Sequence, residues 1–216
     1  MKLVLASNNA KKLAELQALF DGLDIVLVRQ GDLGVREAEE PHLTFLENAL
    51  AKARHASAAT GLPAIADDSG LCVDALGGAP GVVSAHFAPL DDAGDAVASA
   101  AGAARESLRA RQDAANNALL LERLARATDR RAAFACTLVA LRSADDPQPL
   151  VATGRWQGEI LGQAQGAGGF GYDPLMFIPA FGATVAELAP EIKNAHSHRA
   201  LAAAQLRTLL REAWRL

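Results

Sequence analysis

Residues 64–82, AIADDSGLCVDALGGAPGV, place two adjacent carboxylates directly after an apolar segment. The apolar residues on both sides predict a buried strand that is interrupted by a charged turn. Burying one carboxylate is costly unless it is paired, hydrogen-bonded or bound to a metal, so two in succession indicate a functional site. Because neighbouring side chains of a strand point to opposite faces, we predict that Asp68 faces a cleft while Asp67 points into the scaffold and accepts backbone N–H groups. The alternative is an ordinary Asp-Asp-Ser-Gly turn between two strands.

Length, charge and cysteine content restrict the class of protein. A chain of 216 residues suffices for one sizeable α/β domain, or for one domain of two lobes. The formal net charge is −4 with both signs spread along the chain, which argues against nucleic acid as the main partner. Cys72 and Cys136 lie in apolar segments and indicate buried free thiols in a reducing compartment. The sequence shows neither a signal peptide nor a membrane-spanning apolar run, so we expect no membrane partner and a cytoplasmic location.

The first residues of the chain predict a strand followed by a capped helix. The segment Lys2–Ala6 is apolar, Ser7-Asn8-Asn9 offers capping side chains, and helical spacing follows. The first N–H groups of a helix are unpaired and favour an anion, and Lys12 lies about one turn further on, within reach of a phosphate. The sequence contains no GxxxxGK[ST], so this is not a P-loop. A plain helix cap beside a solvated lysine is the alternative.

A second helix is predicted from Thr44, where Thr44-Phe45-Leu46-Glu47 forms a capping box, to about Thr60, before Gly61. Along it, Thr44, Asn48 and Lys52 recur every four residues and therefore share one face. We interpret Lys52 as an electrostatic partner of phosphates or of Glu40 and Asp68, with an exposed helix lysine as the alternative.

The remaining pattern predicts an α/β fold with a mixed, twisted central sheet flanked by helices, and two lobes with an active-site cleft between them. Further strands are expected at Asp24–Val28, Arg131–Arg142 and Leu150–Leu161, and helices at Leu119–Leu124 and Ala195–Trp214. We expect a single domain over residues 1–216. Residues 89–117 carry a thin apolar stripe and are interpreted as a surface helix extension or mobile flap, with about 89–112 as an insertion.

Residues 166–174, GAGGFGYDP, form a glycine-rich turn that carries Phe170, Tyr172 and Asp173. Aromatic faces stack on nucleobases, a contact worth about 1–3 kcal/mol per base. The alternative interpretation is a loop at the start of a strand, with its aromatic side chains in the core.

Four segments together resemble the ITP/XTP pyrophosphatase family: ADDSGLxVxxLxGxPG at 66–81, SNNAKKLAEL at 7–16, TFLENALAKA at 44–53, and GGFGYDP through SHRA at 168–200. The resemblance spans nearly the whole chain apart from about 89–112. Members of this family hydrolyse inosine and xanthosine triphosphates to the monophosphate and pyrophosphate. The resemblance therefore implies a magnesium-dependent enzyme that removes deaminated purine nucleotides (ITP, dITP and XTP) from the nucleotide pool, and a homodimer.

The resemblance also implies a set of site residues. Asp68 would be the general base or a metal ligand that orients water, and Glu40 with Asp68 would bind Mg²⁺, although an acidic run before a helix is often only solvated. His86 stands where the bacterial members usually have an arginine, so we leave it out of the site. The remaining implied residues bind substrate: Ser7, Asn8, Asn9, Ala10, Lys11, Lys12, Lys52, Ser69, Phe170, Gly171, Tyr172, Asp173, Lys193, His198 and Arg199.

The expected reaction is attack of water on the α-phosphorus with pyrophosphate leaving, while Lys12, Lys52 and Lys193 add positive charge. Hypoxanthine offers an acceptor at O6 and a donor at N1, whereas adenine offers the reverse pattern. N–H donors at the helix start near Ser197 suit O6, and Asp173 suits the N1 donor. Guanine presents the same two groups, so this pairing cannot exclude GTP.

Three other functions compete with this prediction. A related pyrophosphatase could act on pyrimidine triphosphates such as dTTP or UTP, but the aromatic and Ser197-His198-Arg199 segments argue against it. A non-catalytic nucleotide- or RNA-binding module would explain the glycines and aromatic residues, but not Asp67, Asp68 and Glu40. An ATPase that releases orthophosphate is disfavoured by the missing P-loop.

Overall fold

Seven strands form one mixed sheet in the computed structural model, which describes residues 1–90 and 103–216, without the side chains of 103–105. The spatial order is β2-β1-β3-β4-β5-β6-β7, in which β1 pairs in parallel with β2 and β3, and β6 pairs antiparallel with β5 and β7. The predicted mixed α/β fold is therefore confirmed. The strands are β1 (Lys2–Leu5), β2 (Val26–Arg29), β3 (Ala64–Val73), β4 (Arg131–Leu141), β5 (Leu150–Ile160), β6 (Met176–Ile178) and β7 (Ala183–Thr184).

Helices connect these strands, with ends close to the predicted ones where capping residues mark them. The second helix begins after Thr44, whose Oγ1 accepts the Glu47 N–H, and it ends before Gly61 in the left-handed region. The predicted closing helix is divided instead, because Ser197 caps a new helix by accepting the Ala200 N–H. The helices are α1 (Ala10–Leu19), α2 (Phe45–Thr60), α3 (Ala103–Arg123), α4 (Pro190–His196) and α5 (His198–Leu209).

The chain divides into two compact units. The first unit comprises Met1–Ser69, Ala135–Trp156 and Asn194–Leu216, and the second comprises Gly70–Phe134 and Gln157–Lys193. The predicted active-site cleft between two lobes stays a prediction. Within the described residues, no helix combines the length and the apolar character needed to cross a membrane.

Alternation along the strands gives the first unit two apolar layers. Leu3, Leu5 and Ile65 belong to one buried cluster, which includes residues of α1 and α5. Val4 and Ala64, their immediate neighbours, belong to a second cluster with the alanines of α2. Helices therefore cover both faces of this part of the sheet. Full burial of a large aliphatic side chain contributes about 1.5–3 kcal/mol to the stability of the fold, so these contacts hold the helices on the sheet.

Strand β3 runs unbroken from Ala64 to Val73, so the predicted interruption by a charged turn is wrong. The strand persists because side chains from α1, α2 and α5 compensate the two carboxylates. Asp67 follows the alternation of Ile65 and Asp68 that of Ala66, so the two acids lie on opposite faces of the sheet.

The second unit agrees with part of the sequence prediction around α3. The described part of this helix starts at Ala103, as the predicted helix extension requires, and it carries two buried polar residues, Gln112 and Asn116. The expectation of a purely superficial segment is therefore wrong at those positions, since their amides are hydrogen-bonded to backbone groups. Residues 91–102 of the predicted flap and insertion lie outside the described residues.

Neither cysteine of the described chain forms a disulfide. Cys136 is buried as predicted, whereas Cys72 is only partly buried. Burial and the neighbouring Asp67 carboxylate raise the pKa of the Cys136 thiol, which is therefore protonated and suited to a core position.

Candidate active site

Asp67 is the centre of a buried network in which both of its carboxylate oxygens accept hydrogen bonds. Lys12 Nζ and Ser69 Oγ each donate to Oδ1 at 2.8 Å, and Arg199 Nε donates to Oδ2 at 2.6 Å. The Cys136 thiol lies 3.7 Å from Oδ2. The donors are thus side chains rather than the predicted backbone N–H groups, because α1 and α5 bring their cations to this face of β3. Burial favours the neutral acid, but the Arg199 and Lys12 charges outweigh it and hold the pKa of Asp67 well below its usual range.

Arg199 is itself held by a second carboxylate, which sequence reasoning missed. Its Nη1 donates to Glu15 Oε2 at 2.8 Å, and only 3% of its side chain is exposed. Burial acts to lower the pKa of Arg199, but the Asp67 and Glu15 charges outweigh it and raise that pKa. Two acids therefore balance Lys12 and Arg199. The spacing of Glu15, three residues after Lys12 on α1, was the signal available in the sequence. Substrate contact by Arg199 stays a prediction.

Asp68 belongs to a different cluster on the opposite face. Lys52 Nζ donates to Asp68 Oδ1 at 2.7 Å and to Glu40 Oε2 at 3.0 Å. The polar stripe of α2 explains this placement, since Asn48 lies one turn before Lys52 and bonds both backbone groups of His42. Asn48 therefore fixes the segment that carries Glu40.

The protonation equilibria of this second cluster are perturbed in opposite directions. Burial raises the pKa of Asp68 to about 6; the neighbouring Glu40 carboxylate adds to this shift and Lys52 opposes it. Burial also acts on Glu40, but the Lys52 charge and hydrogen bond outweigh it and lower that pKa. For Lys52, burial is outweighed by the Asp68 and Glu40 charges, which raise its pKa and keep it cationic. Two acids thus share a single cation.

This cluster fits a divalent metal. Asp68 Oδ2 is buried and accepts no hydrogen bond from the described residues, and the charge of Glu40, Asp68 and Lys52 sums to one excess negative charge. Among described residues, no group of three or more Asp, Glu, His or Cys side chains could enclose a metal. Mg²⁺ needs no such enclosure, because it takes one or two carboxylates and completes its shell with water and substrate phosphates.

The N-terminus of α1 lies in the same unit and is capped by Asn9. Asn9 Oδ1 accepts hydrogen bonds from the N–H groups of Lys11 and Lys12 at 2.9 and 3.3 Å. Ser7 Oγ accepts a hydrogen bond from the Asn9 N–H at 3.2 Å. The amide groups expected to be unpaired are thus partly bonded within the cap. Ala10 is exposed and Asn8 half-buried, with a buried Oδ1 that accepts no bond from the described residues.

Several of these side chains face one small polar pocket of about 100 Å³. Gln30 and Glu37 were missed by sequence reasoning, because nothing in their local pattern distinguishes them from other polar loop residues. The pocket is lined by Ala6, Ser7, Lys12, Gln30, Glu37, Ala38, Glu40, Lys52 and Asp67.

The predicted nucleobase residues form a cluster within the second unit. Lys193 Nζ donates to Asp173 Oδ2 at 2.7 Å and lies 4.7 Å from the centre of the Phe170 ring. Phe170 is 45% exposed, so its ring is accessible for stacking on a base, whereas Tyr172 is 5% exposed and serves as an internal anchor. At Gly169, with a φ of +76°, a Cβ would lie 2.1 Å from Asp173 Oδ2, so only glycine fits.

His198 and Arg199 begin α5 in the first unit, and both are buried. A strand glycine that sequence reasoning did not single out permits this position. A Cβ on Gly154 of β5 would lie 2.0 Å from the His198 carbonyl oxygen, so the helix start packs directly on the strand. An isolated glycine within a strand pattern was the signal for such a close approach.

Comparison with known proteins agrees with these motifs. Residues 3–209 match the model of the Ham1 family. A Leptothrix cholodnii protein named dITP/XTP pyrophosphatase is 67% identical over 216 residues, which is 100% of each chain. A Methylibium petroleiphilum protein of the same name is 66% identical over 214 residues, 99% of each chain. A solved HAM1 protein from Coxiella burnetii is 42% identical with a TM-score of 0.83, covering 98% of this chain and 99% of that chain. The chain therefore belongs to the Ham1 family.

Proposed function

We propose that this protein hydrolyses ITP, dITP and XTP to the monophosphate and pyrophosphate, with Mg²⁺ bound by Glu40 and Asp68. The names of relatives that are 66–67% identical over the full chain support the substrate class. The observation that carries the proposal is the Glu40–Lys52–Asp68 cluster, with its excess negative charge and its unbonded Asp68 Oδ2. Removal of deaminated purines from the nucleotide pool follows as the physiological role.

The chemistry assigned to Asp68 follows from its two oxygens. Lys52 donates to Oδ1, so Oδ2 is the oxygen that can either accept a proton or bind Mg²⁺. With a pKa of about 6, the group is mostly ionised at neutral pH and can serve as general base for water. The water oxygen bonds to the α-phosphorus, its proton passes to a carboxylate oxygen of the Glu40–Asp68 pair that does not hold the metal, and the bond to the pyrophosphate oxygen breaks. Bound Mg²⁺ would neutralise phosphate charge and lower the pKa of a coordinated water.

The other groups bind the two ends of the substrate. Lys12 and Lys52 retain further N–H donors beyond their carboxylate bonds and provide positive charge for the triphosphate, together with the Ser7–Asn9 cap. Phe170 stacks on the purine, and Asp173 accepts its N1–H. A site that pairs with O6 and N1–H rejects adenine strongly, because its own polar groups would be left unpaired.

A nucleotide panel tests this function. ITP, XTP, GTP, ATP and UTP are each incubated with the protein and Mg²⁺, and the products are separated into pyrophosphate and orthophosphate. We expect pyrophosphate from ITP and XTP at the highest rates, and loss of the activity with a chelator. Faster UTP hydrolysis, or orthophosphate as the product, would contradict the proposal.

We also propose a cytoplasmic homodimer that binds neither membrane nor nucleic acid. The resemblance to the pyrophosphatase family supports the dimer, and the charge balance supports the absence of a nucleic-acid partner. Light scattering after size-exclusion chromatography measures the mass directly. A monomer over the concentration range of the assay would contradict the dimer.

A further inference from the structure

Both backbone groups of Gly171 are held by one face of α3. The Gly171 N–H donates to Asp113 Oδ2 at 2.8 Å, and its carbonyl accepts a hydrogen bond from Asn117 Nδ2 at 3.0 Å. Asp113 and Asn117 are four residues apart and therefore lie on the same side of the helix. Two bonds to one residue fix its position more tightly than either bond alone.

The same helix also holds the group that anchors Tyr172. The Tyr172 hydroxyl donates to the Ser84 carbonyl at 2.9 Å, and Asn116 Nδ2 donates to that oxygen at 3.2 Å. Gln112 Nε2 donates to the Ala88 carbonyl at 2.8 Å, which holds the chain four residues after Ser84 against the same helix. Four polar residues of α3, Gln112, Asp113, Asn116 and Asn117, are thus directed at backbone groups, and we call them the α3 polar row.

Asn117 is bonded asymmetrically. Its Nδ2 reaches Gly171, but its Oδ1 is buried and accepts no hydrogen bond from the described residues. A buried acceptor without a partner costs about 1–3 kcal/mol. The unbonded oxygen works against stability, so the feature that accounts for an asparagine at position 117 is the hydrogen bond from its Nδ2 to Gly171.

Gly171 lies between the two residues that would contact the base. Phe170 precedes it, and Asp173 follows two residues later and accepts the Phe170 N–H at 3.0 Å. A shift of the Gly171 peptide would move the stacking ring and the carboxylate together. We propose that Asp113 and Asn117 are positioning residues for nucleobase selection: by fixing Gly171 they set the geometry in which Phe170 and Asp173 recognise a 6-oxopurine.

This inference rests on the function proposed above, and kinetics of single variants test it. The loop-releasing variants are Asp113→Ala, Asn117→Ala and Asn117→Asp, the last of which exchanges the donor for an acceptor without changing size. Asp113→Asn keeps an oxygen for the Gly171 N–H and is the conservative rescue. Glu122→Ala, at an exposed position of the same helix, is the matched control.

Loss of a hydrogen bond to the loop should raise the KM for ITP about tenfold and lower the ITP-to-ATP ratio of kcat/KM, with kcat within about twofold of wild type. Asp113→Asn and Glu122→Ala should retain wild-type values. A merely structural role would instead lower the melting temperature and the active fraction, which reduces kcat at unchanged KM and selectivity.

The possible failures are distinguishable. If the wild-type protein hydrolyses ITP but the folded loop-releasing variants keep its KM and selectivity, the positioning role is wrong and the proposed function stands. If Asp113→Ala does not fold, the isosteric Asn117→Asp variant decides alone. If the wild-type protein fails to hydrolyse ITP, the proposed function fails, and the inference with it.

Discussion

Asp67 and Asp68 are adjacent in the sequence, yet their surroundings differ in almost every physical respect. Asp67 has charged partners for both oxygens, in a network where two acids balance two cations. Asp68 shares one lysine with Glu40, and its Oδ2 accepts no hydrogen bond from the described residues. The pKa of Asp67 is held well below its usual range, whereas that of Asp68 is raised to about 6. A satisfied acid stabilises the fold, and an unsatisfied one remains available for chemistry.

The largest expected effect is the loss of turnover when Asp68, the acid with the unbonded oxygen, is replaced by a neutral side chain. Asp68→Asn keeps the size and an acceptor for Lys52 but removes the base and a metal ligand, so kcat for ITP should fall by about 10²–10⁴-fold. Urea denaturation of the same preparation should show a stability close to wild type. Wild-type turnover in a folded Asp68→Asn protein would remove the proposed functional difference between the two acids.

The neighbouring substitution should act mainly on stability. Asp67→Asn leaves Arg199 buried with only one full charge partner, and breaking a buried ion pair in this way costs about 3–5 kcal/mol. The midpoint of urea unfolding and its slope measure the loss. If Asp67→Asn were as stable as wild type, the network would not have the structural role assigned to it.

The pH dependence of stability should have opposite signs for the two acids. Because the folded pKa of Asp67 lies well below the usual 3.8, its stabilisation is present above pH 3.8 and is lost as the pH falls further. Because the folded pKa of Asp68 is about 6, the folded state binds its proton more tightly, and stability falls as the pH rises from about 4 to 6.

Urea midpoints measured between pH 3 and 7 with a chelator present test these signs. Asp67→Asn should flatten the loss at the acid end, and Asp68→Asn should flatten the decline below pH 6. If the urea midpoints of both variants changed with pH in the same way as those of the wild-type protein, neither group would titrate as described.

The smallest expected effect concerns the outer acid of the Asp67 network. Glu15→Gln keeps an oxygen for Arg199 but removes a charge, so we expect a loss of about 1–2 kcal/mol. The exposed Asp129–Arg131 pair provides the control, because Asp129→Asn in a solvated ion pair should change stability little. Equal effects of the two substitutions would place Glu15 outside the network.

Local sequence signals predicted much of this architecture. The helix between Thr44 and Gly61 follows from a capping box and a terminal glycine, which act over a few residues. The helix that carries Gln112 and Asn116 was predicted as an extension or flap at the surface, because its buried polar residues resemble a solvated face in the sequence alone. Hydrophobic periodicity detects apolar contacts, and it does not register amides that are buried against backbone groups.

The sequence by itself predicted that Asp67 and Asp68 point to opposite sides, because side chains alternate along any extended backbone, although it predicted a turn where the strand continues. The polar stripe of α2 also predicted Lys52, 16 residues away in the sequence, as a partner of Asp68. Only the tertiary structure decided that Lys12 and Arg199, 55 and 132 residues away in the sequence, meet Asp67. These two pairings arise from the packing of helices on one face of the sheet, and no local pattern encodes them. The different roles assigned to two identical neighbouring side chains follow from that packing.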